Sequence, residues 1–180
     1  MTSEQVIETW LAEEAEIVSR LEAGPGPGLA SPEQVAGKTG LEFLRAMLRG
    51  EVPYAAIAKT LDFTIVEASD GRCVFQGEPR AQHLNPLGTV HGGWVATLLD
   101  SALGCSVHTK MPPGRGYTTA ELSVNYVKGL TPRVKRVRAE GKVIHCGRQL
   151  ATAEARLVGP DGTLYAHATT TCLVFEMPQR

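Results

Sequence analysis

The residues best suited to chemistry lie on one stretch, Gly92-Gly93-Trp94-Val95-Ala96-Thr97-Leu98-Leu99-Asp100, which continues almost wholly apolar to Val107. Asp100 is its single charged residue. A carboxylate in such surroundings is costly unless it is hydrogen-bonded, paired or wet. It is either a structural aspartate tied to a neighbouring hydroxyl or a carboxylate kept at a cleft to activate water or receive a proton, and the second reading is favoured. The helix start supplies the other half of a site. Free N–H groups there, with the helix dipole behind them, stabilise arriving negative charge. Gly92 and Gly93 leave those amides unshielded, so a carbonyl can come close to the backbone, as an oxyanion hole requires. Glycines at a helix start also serve tight packing. The preceding Asn85-Pro86-Leu87-Gly88-Thr89-Val90-His91 sets an amide and an imidazole beside the same spot. Asp100 follows Gly92 by eight positions, about 12 Å of helical rise. One carbonyl cannot touch both within one chain, so either Asp100 is not catalytic or a second subunit brings its own Asp100 to this helix start.

The rest of the chain must position that helix. A stretch apolar on nearly every face predicts burial on all sides. One helix achieves this only if a sheet curls round it. The spacing predicts short strands at 61–68 and 72–78 joined by Ser69-Asp70-Gly71, then a loop to Val90, the helix, and strands at 117–128, 133–144, 149–158 and 164–175. Gly159-Pro160-Asp161-Gly162 is a strong turn between the last two. Strands in runs rather than in alternation with helices give the α+β class. Ahead of them, residues 3–21 carry apolar side chains at helical spacing with an acidic opposite face (Glu4, Glu8, Glu13, Glu14, Glu16, Glu22). Gly24-Pro25-Gly26-Pro27-Gly28 breaks that helix, and a second one runs from Thr39, as N-cap, to about Gly50. Residues 1–57 thus read as a helical extension and 58–177 as the main domain.

Composition excludes several classes. The chain has 180 residues, with 18 Lys+Arg against 19 Asp+Glu, so it lacks the basic field of a nucleic-acid binder. No apolar run reaches the length of a membrane span, and the acidic start is unlike a signal peptide. The four cysteines are scattered with no Cys-x-x-Cys pair, which suits reduced thiols in a cytoplasmic protein and argues against a disulfide scaffold or a zinc ribbon. No Gly-x-Ser-x-Gly elbow surrounds Ser101.

Asn85-Pro86-Leu87-Gly88-Thr89-Val90-His91-Gly92-Gly93, Leu98-Leu99-Asp100-Ser101-Ala102, Glu121-Leu122-Ser123-Val124-Asn125-Tyr126, Gly147-Arg148 and 167–175 together make the chain resemble a hotdog-fold acyl-CoA thioesterase of the PaaI, phenylacetate-pathway type. The resemblance covers roughly residues 58–175. It implies a curved antiparallel sheet round one long buried helix, paired into dimers and frequently tetramers. It implies an acyl-CoA substrate, with coenzyme A as the carrier, no metal and no separate cofactor. Carried onto this sequence, the Gly92 amide with Asn85 polarises the thioester carbonyl, Asp100 of the partner chain acts on water, and His91 positions the helix start or the carbonyl. A hydroxyl on the following strand, Thr119 with Thr118 as neighbour, holds the water. Gly93, Tyr126, Val127, Lys128, His145, Gly147 and Arg148 border the substrate. Expected partners are a second copy of the chain and acyl-CoA, with neither nucleic acid nor membrane. The alternative is a non-catalytic acyl-CoA binding or sensing module, motivated by the N-terminal extension; such a module has no need of Asp100.

Other residues read more plainly. Arg133, Lys135, Arg136, Arg138 and Lys142 share a predicted strand and suit a solvated sheet face. His108, at the helix end, is expected to compensate the dipole. Cys105 is expected in the core. His145 and Cys146, adjacent on a strand, should point to opposite faces. His83 and His167 have no evident partner.

Overall fold

The computed structural model describes residues 2–177. Four helices come first: α1 (Ser3–Ala23), the single turn α2 (Pro32–Val35), α3 (Gly40–Leu48) and α4 (Ala56–Thr60). Strands β1 (Phe63–Ser69) and β2 (Arg72–Gly77) precede the long helix α5 (Gly92–His108). After it come β3 (Arg115–Tyr126), β4 (Val137–Cys146), β5 (Leu150–Val158) and β6 (Leu164–Glu176). The six strands form one sheet in the order β1-β2-β4-β5-β6-β3, every pairing antiparallel. This is the α+β hotdog architecture: a sheet wrapped on one helix, with a helical N-terminal segment beside it.

Local sequence explains the elements. Thr39 caps α3 through a reciprocal pair with Glu42, its hydroxyl accepting from the Glu42 N–H and its own N–H donating to the Glu42 carboxylate at 2.7 Å. β5 alternates strictly, with Ala151, Ala153, Ala155 and Leu157 inward and Glu154 and Arg156 outward. The inner face of the sheet is built largely of small residues, also including Ala139, Gly141, Ala166 and Ala168. These let α5 lie close enough to bury Leu98, Leu99, Leu103 and Val107 completely. Each such aliphatic side chain contributes about 1.5–3 kcal/mol of transfer free energy. Gly141 is the tightest point between the sheet and α5, because a Cβ there would lie 2.2 Å from the Ala102 carbonyl oxygen. Gly141→Ala is therefore expected to force helix and sheet apart and cost about 1–3 kcal/mol. An unchanged urea midpoint in that variant would contradict this packing.

The structure corrects four expectations. First, α5 is not buried all round: Gly93, Ala96, Thr97, Asp100, Ser101 and Cys105 form a stripe that stays partly exposed in the protomer. Its neighbour there is β3, the edge of the sheet, where Thr118 to Glu121 are exposed. Second, residues 133–136 precede β4 instead of opening it, and β3 begins at Arg115 and ends at Tyr126. Third, Arg136 and Arg138 do not lie on a solvated face, because the acidic side of α1 covers them. Glu14 accepts from Arg136 at 2.7 Å, Glu13 pairs with Arg138, and the Arg138 guanidinium stacks 4.4 Å over Trp10. The buried Gln76 amide ties the same place to α1 by donating to the Trp10 carbonyl. Fourth, His108 does not serve as a charged partner of the helix end. It packs edge-on to Phe43 and against Tyr117, and burial pulls its pKa below the ordinary imidazole value, favouring the neutral ring. Cys105 is half-buried against the core, and His145 is exposed while Cys146 turns inward.

Candidate active site

The start of α5 is capped by its own histidine. His91 has extended backbone angles and its Nδ1 accepts from the Gly93 N–H at 2.9 Å. An imidazole accepting at Nδ1 carries its proton on Nε2, so the other ring edge is a donor. With the Gly93 N–H taken by His91 and the Trp94 N–H donating to the His91 carbonyl, the Gly92 N–H has no partner among the described residues. It is the amide left for an incoming oxygen. Gly92 cannot carry a side chain without displacing Tyr126, whose ring would lie 3.1 Å from a Cβ and whose hydroxyl donates to the Gly92 carbonyl at 3.0 Å.

Asn85 is partly spent on its own loop. Its Oδ1 accepts from the Leu87 N–H at 2.8 Å, and one Nδ2 hydrogen goes to the Thr89 hydroxyl at 2.7 Å. Its second amide hydrogen has no partner among the described residues. Tyr126 ends β3, and it and the following Val127 and Lys128 line, with Gly92, Thr89 and Tyr165, a cleft of about 230 Å³. Gly92 therefore shares this cleft with Tyr126, Val127 and Lys128, and Asn85 adjoins it through Thr89.

Two turns along α5, Asp100 is half-buried on the open stripe, and its Oδ1 accepts from the Thr119 hydroxyl at 3.1 Å. A β-bulge makes that contact. Thr119 pairs with Cys172 and Glu121 with Thr171, which leaves Ala120 as an extra residue. The extra residue bends the strand and re-aims its side chains. The buried Thr170 hydroxyl holds the displaced strand by donating to the Glu121 carbonyl at 2.7 Å. Thr119, not Thr118, thus faces the carboxylate. Cys172 lies behind Thr119 but is fully buried, and burial raises its thiol pKa, which keeps it protonated and unsuited to attack.

His145, Gly147 and Arg148 are not brought to this cleft within one chain. The Arg148 carbonyl accepts from Arg115, at the first residue of β3, whereas Tyr126 is the last. A strand of that length separates them by roughly 35–40 Å. His83, which lacked a partner in the sequence, lies buried against Asp62 and Trp94. No group of three or more His, Cys, Asp or Glu among the described residues could hold a metal ion, and no described helix is long and apolar enough to cross a membrane.

The family model described as Thioesterase superfamily matches residues 87–166, a span that contains His91, Gly92, Asp100 and Thr119. A crystal structure from Ralstonia eutropha, described as a candidate thioesterase and phenylacetic acid degradation-related protein, is 30% identical; the match covers 72% of this chain and 97% of that one, with a TM-score of 0.65. The chain belongs to the thioesterase superfamily. A variant of the phenylacetic acid degradation protein PaaI from Thermus thermophilus is 28% identical over 65% of this chain and 96% of its own, with a TM-score of 0.59. A candidate esterase of Halobacterium salinarum is 29% identical over 129 residues, 69% of this chain and 83% of that protein. In this thioesterase-superfamily chain the matched span begins after Asn85, so His83 and Asp62 lie outside it.

Proposed function

We propose that the protein hydrolyses acyl-CoA thioesters at a site shared by two copies of the chain. The observation that carries this reading is the pairing of an unpartnered Gly92 N–H at the capped start of α5 with a hydroxyl-bound Asp100 further along the same open stripe. The thioester oxygen takes the Gly92 N–H, with Asn85 and His91 beside it. Asp100 of the other subunit, oriented by Thr119, accepts a proton from water as its oxygen attacks the carbonyl carbon. The C–S bond then breaks, the acid is released, and the thiolate leaves with a proton as free coenzyme A. The leaving thiolate is a weak base, so one carboxylate and one oxyanion donor suffice without a triad.

The open edge of β3 supports the two-chain arrangement. A long exposed edge strand seeks a partner, and two copies related by a two-fold axis pair such edges antiparallel. That pairing sets the start of one β3 beside the end of the other. It moves the partner subunit's Thr119 and Asp100 toward this chain's Gly92, and its Arg148, His145 and Gly147 toward this chain's Tyr126, Val127 and Lys128, where they border the coenzyme A moiety.

The test is release of free thiol from a panel of aromatic, short-chain and medium-chain acyl-CoAs, with light scattering on the same sample. Hydrolysis by a dimer or larger assembly is expected. Tight acyl-CoA binding with no thiol release would favour the binding-module reading. A monomer that turns over would overturn the shared site.

A further inference from the structure

Among the described residues, one outside glycine has a left-handed backbone: Asp62, with φ of 53°. Such a conformation in a non-glycine residue persists only where the surroundings hold it, and it invites a search for what it positions. Its carbonyl accepts from the Glu78 N–H at 2.9 Å. Its carboxylate gathers the Arg80 guanidinium at 3.1 Å, the Gln82 amide at 2.7 Å and His83 Nε2 at 3.2 Å.

His83 is fixed on every side. Its side chain is 3% exposed. Nδ1 accepts from the Arg80 N–H at 3.1 Å, which places the ring proton on Nε2, facing Asp62. The Nε2 contact is bent away from hydrogen-bond geometry, so attraction between that N–H and the carboxylate charge carries it. The ring stacks on Trp94 with centroids 5.2 Å apart and planes 23° apart. The His83 carbonyl accepts from the His91 N–H at 2.7 Å, and the Trp94 indole N–H donates to the Leu61 carbonyl at 2.7 Å, one residue before Asp62.

Three of these contacts reach 91–94, the turn that bears the Gly92 N–H: the His91 N–H on the His83 carbonyl, the His83–Trp94 stack and the Trp94 indole on Leu61. We infer that Asp62 and His83 form a positioning lock for the oxyanion-binding amide: the His83 carbonyl holds the Val90–His91 peptide, the one before the peptide that bears the Gly92 N–H, the His83 ring holds Trp94 on the other side of it, and Asp62 fixes the ring. Neither touches substrate. The inference rests on the proposed thioesterase reaction. It goes beyond it by assigning the geometry of the amide to a pair outside the helix.

The experiment combines acyl-CoA kinetics with hydrogen exchange at the His91 and Gly93 amides in folded wild type, His83→Ala, His83→Gln and Asp62→Asn. A small misplacement of a reacting group costs up to about a hundredfold in rate, so kcat is expected to fall about ten- to a hundredfold in His83→Ala, with KM nearly unchanged. The pH profile should keep its shape, because His83 passes no proton to substrate. Exchange at the His91 and Gly93 amides, both held by hydrogen bonds in this turn, should quicken. His83→Gln, which can still accept from Arg80 and donate toward Asp62, should recover most of the rate. Asp62→Asn, which tolerates the left-handed backbone, should fall between them. If His83→Ala does not fold, the glutamine and asparagine variants decide the matter by the same readouts. Wild-type kcat in the alanine variant, a change in KM alone, a shifted pH limb, or lost turnover with unchanged amide exchange would each overturn the lock. Wild-type protein inactive on every acyl-CoA would overturn the proposed reaction instead, and the exchange measurement would still decide whether the lock exists.

Discussion

Asp100→Asn is expected to fold like the wild type and to lose about 10²- to 10⁴-fold in turnover, the usual contribution of a positioned general base. Asparagine has the same shape and its Oδ1 still accepts from Thr119, so the 3.1 Å contact survives. Asp100 is only half-buried, so no large unsatisfied group results, and the thermal midpoint should move little. What disappears is the capacity to take a proton from water. KM for acyl-CoA should hold, since the Gly92 cleft is intact. Two neighbouring threonines sharpen the test. Thr119→Val should lower kcat about tenfold by freeing the carboxylate to rotate. Thr118→Val, on the opposite face of β3, should leave turnover unchanged. Thiol release at the wild-type rate from Asp100→Asn would remove the carboxylate from the mechanism.

The parts of this site that were legible in the sequence are those encoded by local pattern. The unbroken apolar run made α5 visible, Thr39 announced the cap of α3, and Gly159-Pro160-Asp161-Gly162 marked the turn between β5 and β6. The Gly92-Gly93 start and the lone Asp100 stood out because each is odd for its surroundings. What could not be read depends on contacts between distant positions. Glu13 and Glu14 looked like a solvated helix face, yet they meet arginines more than a hundred residues away, and only the docking of α1 on the sheet brings the two sets together. The bulge at Ala120 leaves alternation almost undisturbed in a strand as polar as Thr118-Thr119-Ala120-Glu121, so the choice between the threonines awaited the register against β6. Asp62 and His83 are 21 positions apart on separate loops and join only after β1 and β2 have paired. The apolar pattern of α5 could not distinguish burial by its own sheet from an open stripe, because a protein interface and a core want the same side chains.

That open stripe makes a decisive experiment available through Gly92→Pro. Proline suits the first helical position, and it restricts the residue before it to extended angles. His91 already has φ −60° and ψ 133°, so the backbone accepts the change. The pyrrolidine ring removes the Gly92 N–H and nothing else in the helix ladder. Tyr126, the side chain in its way, is 56% exposed and free to swing aside. Loss of one oxyanion donor is expected to cost about 10²- to 10³-fold in kcat. The two inactive chains should then complement each other. In a heterodimer of Gly92→Pro with Asp100→Asn, isolated by two different tags, one site joins both lesions while the other joins an intact Gly92 to an intact Asp100 of the partner. Such a heterodimer should recover about half of the wild-type turnover per dimer, because two-fold symmetry builds two sites from reciprocal contributions. If each chain instead held a whole site, every site would carry one lesion and the heterodimer would be as inactive as its parents. The 12 Å of helix between Gly92 and Asp100, estimated from a rise of about 1.5 Å per residue, is what makes recovery the expected result.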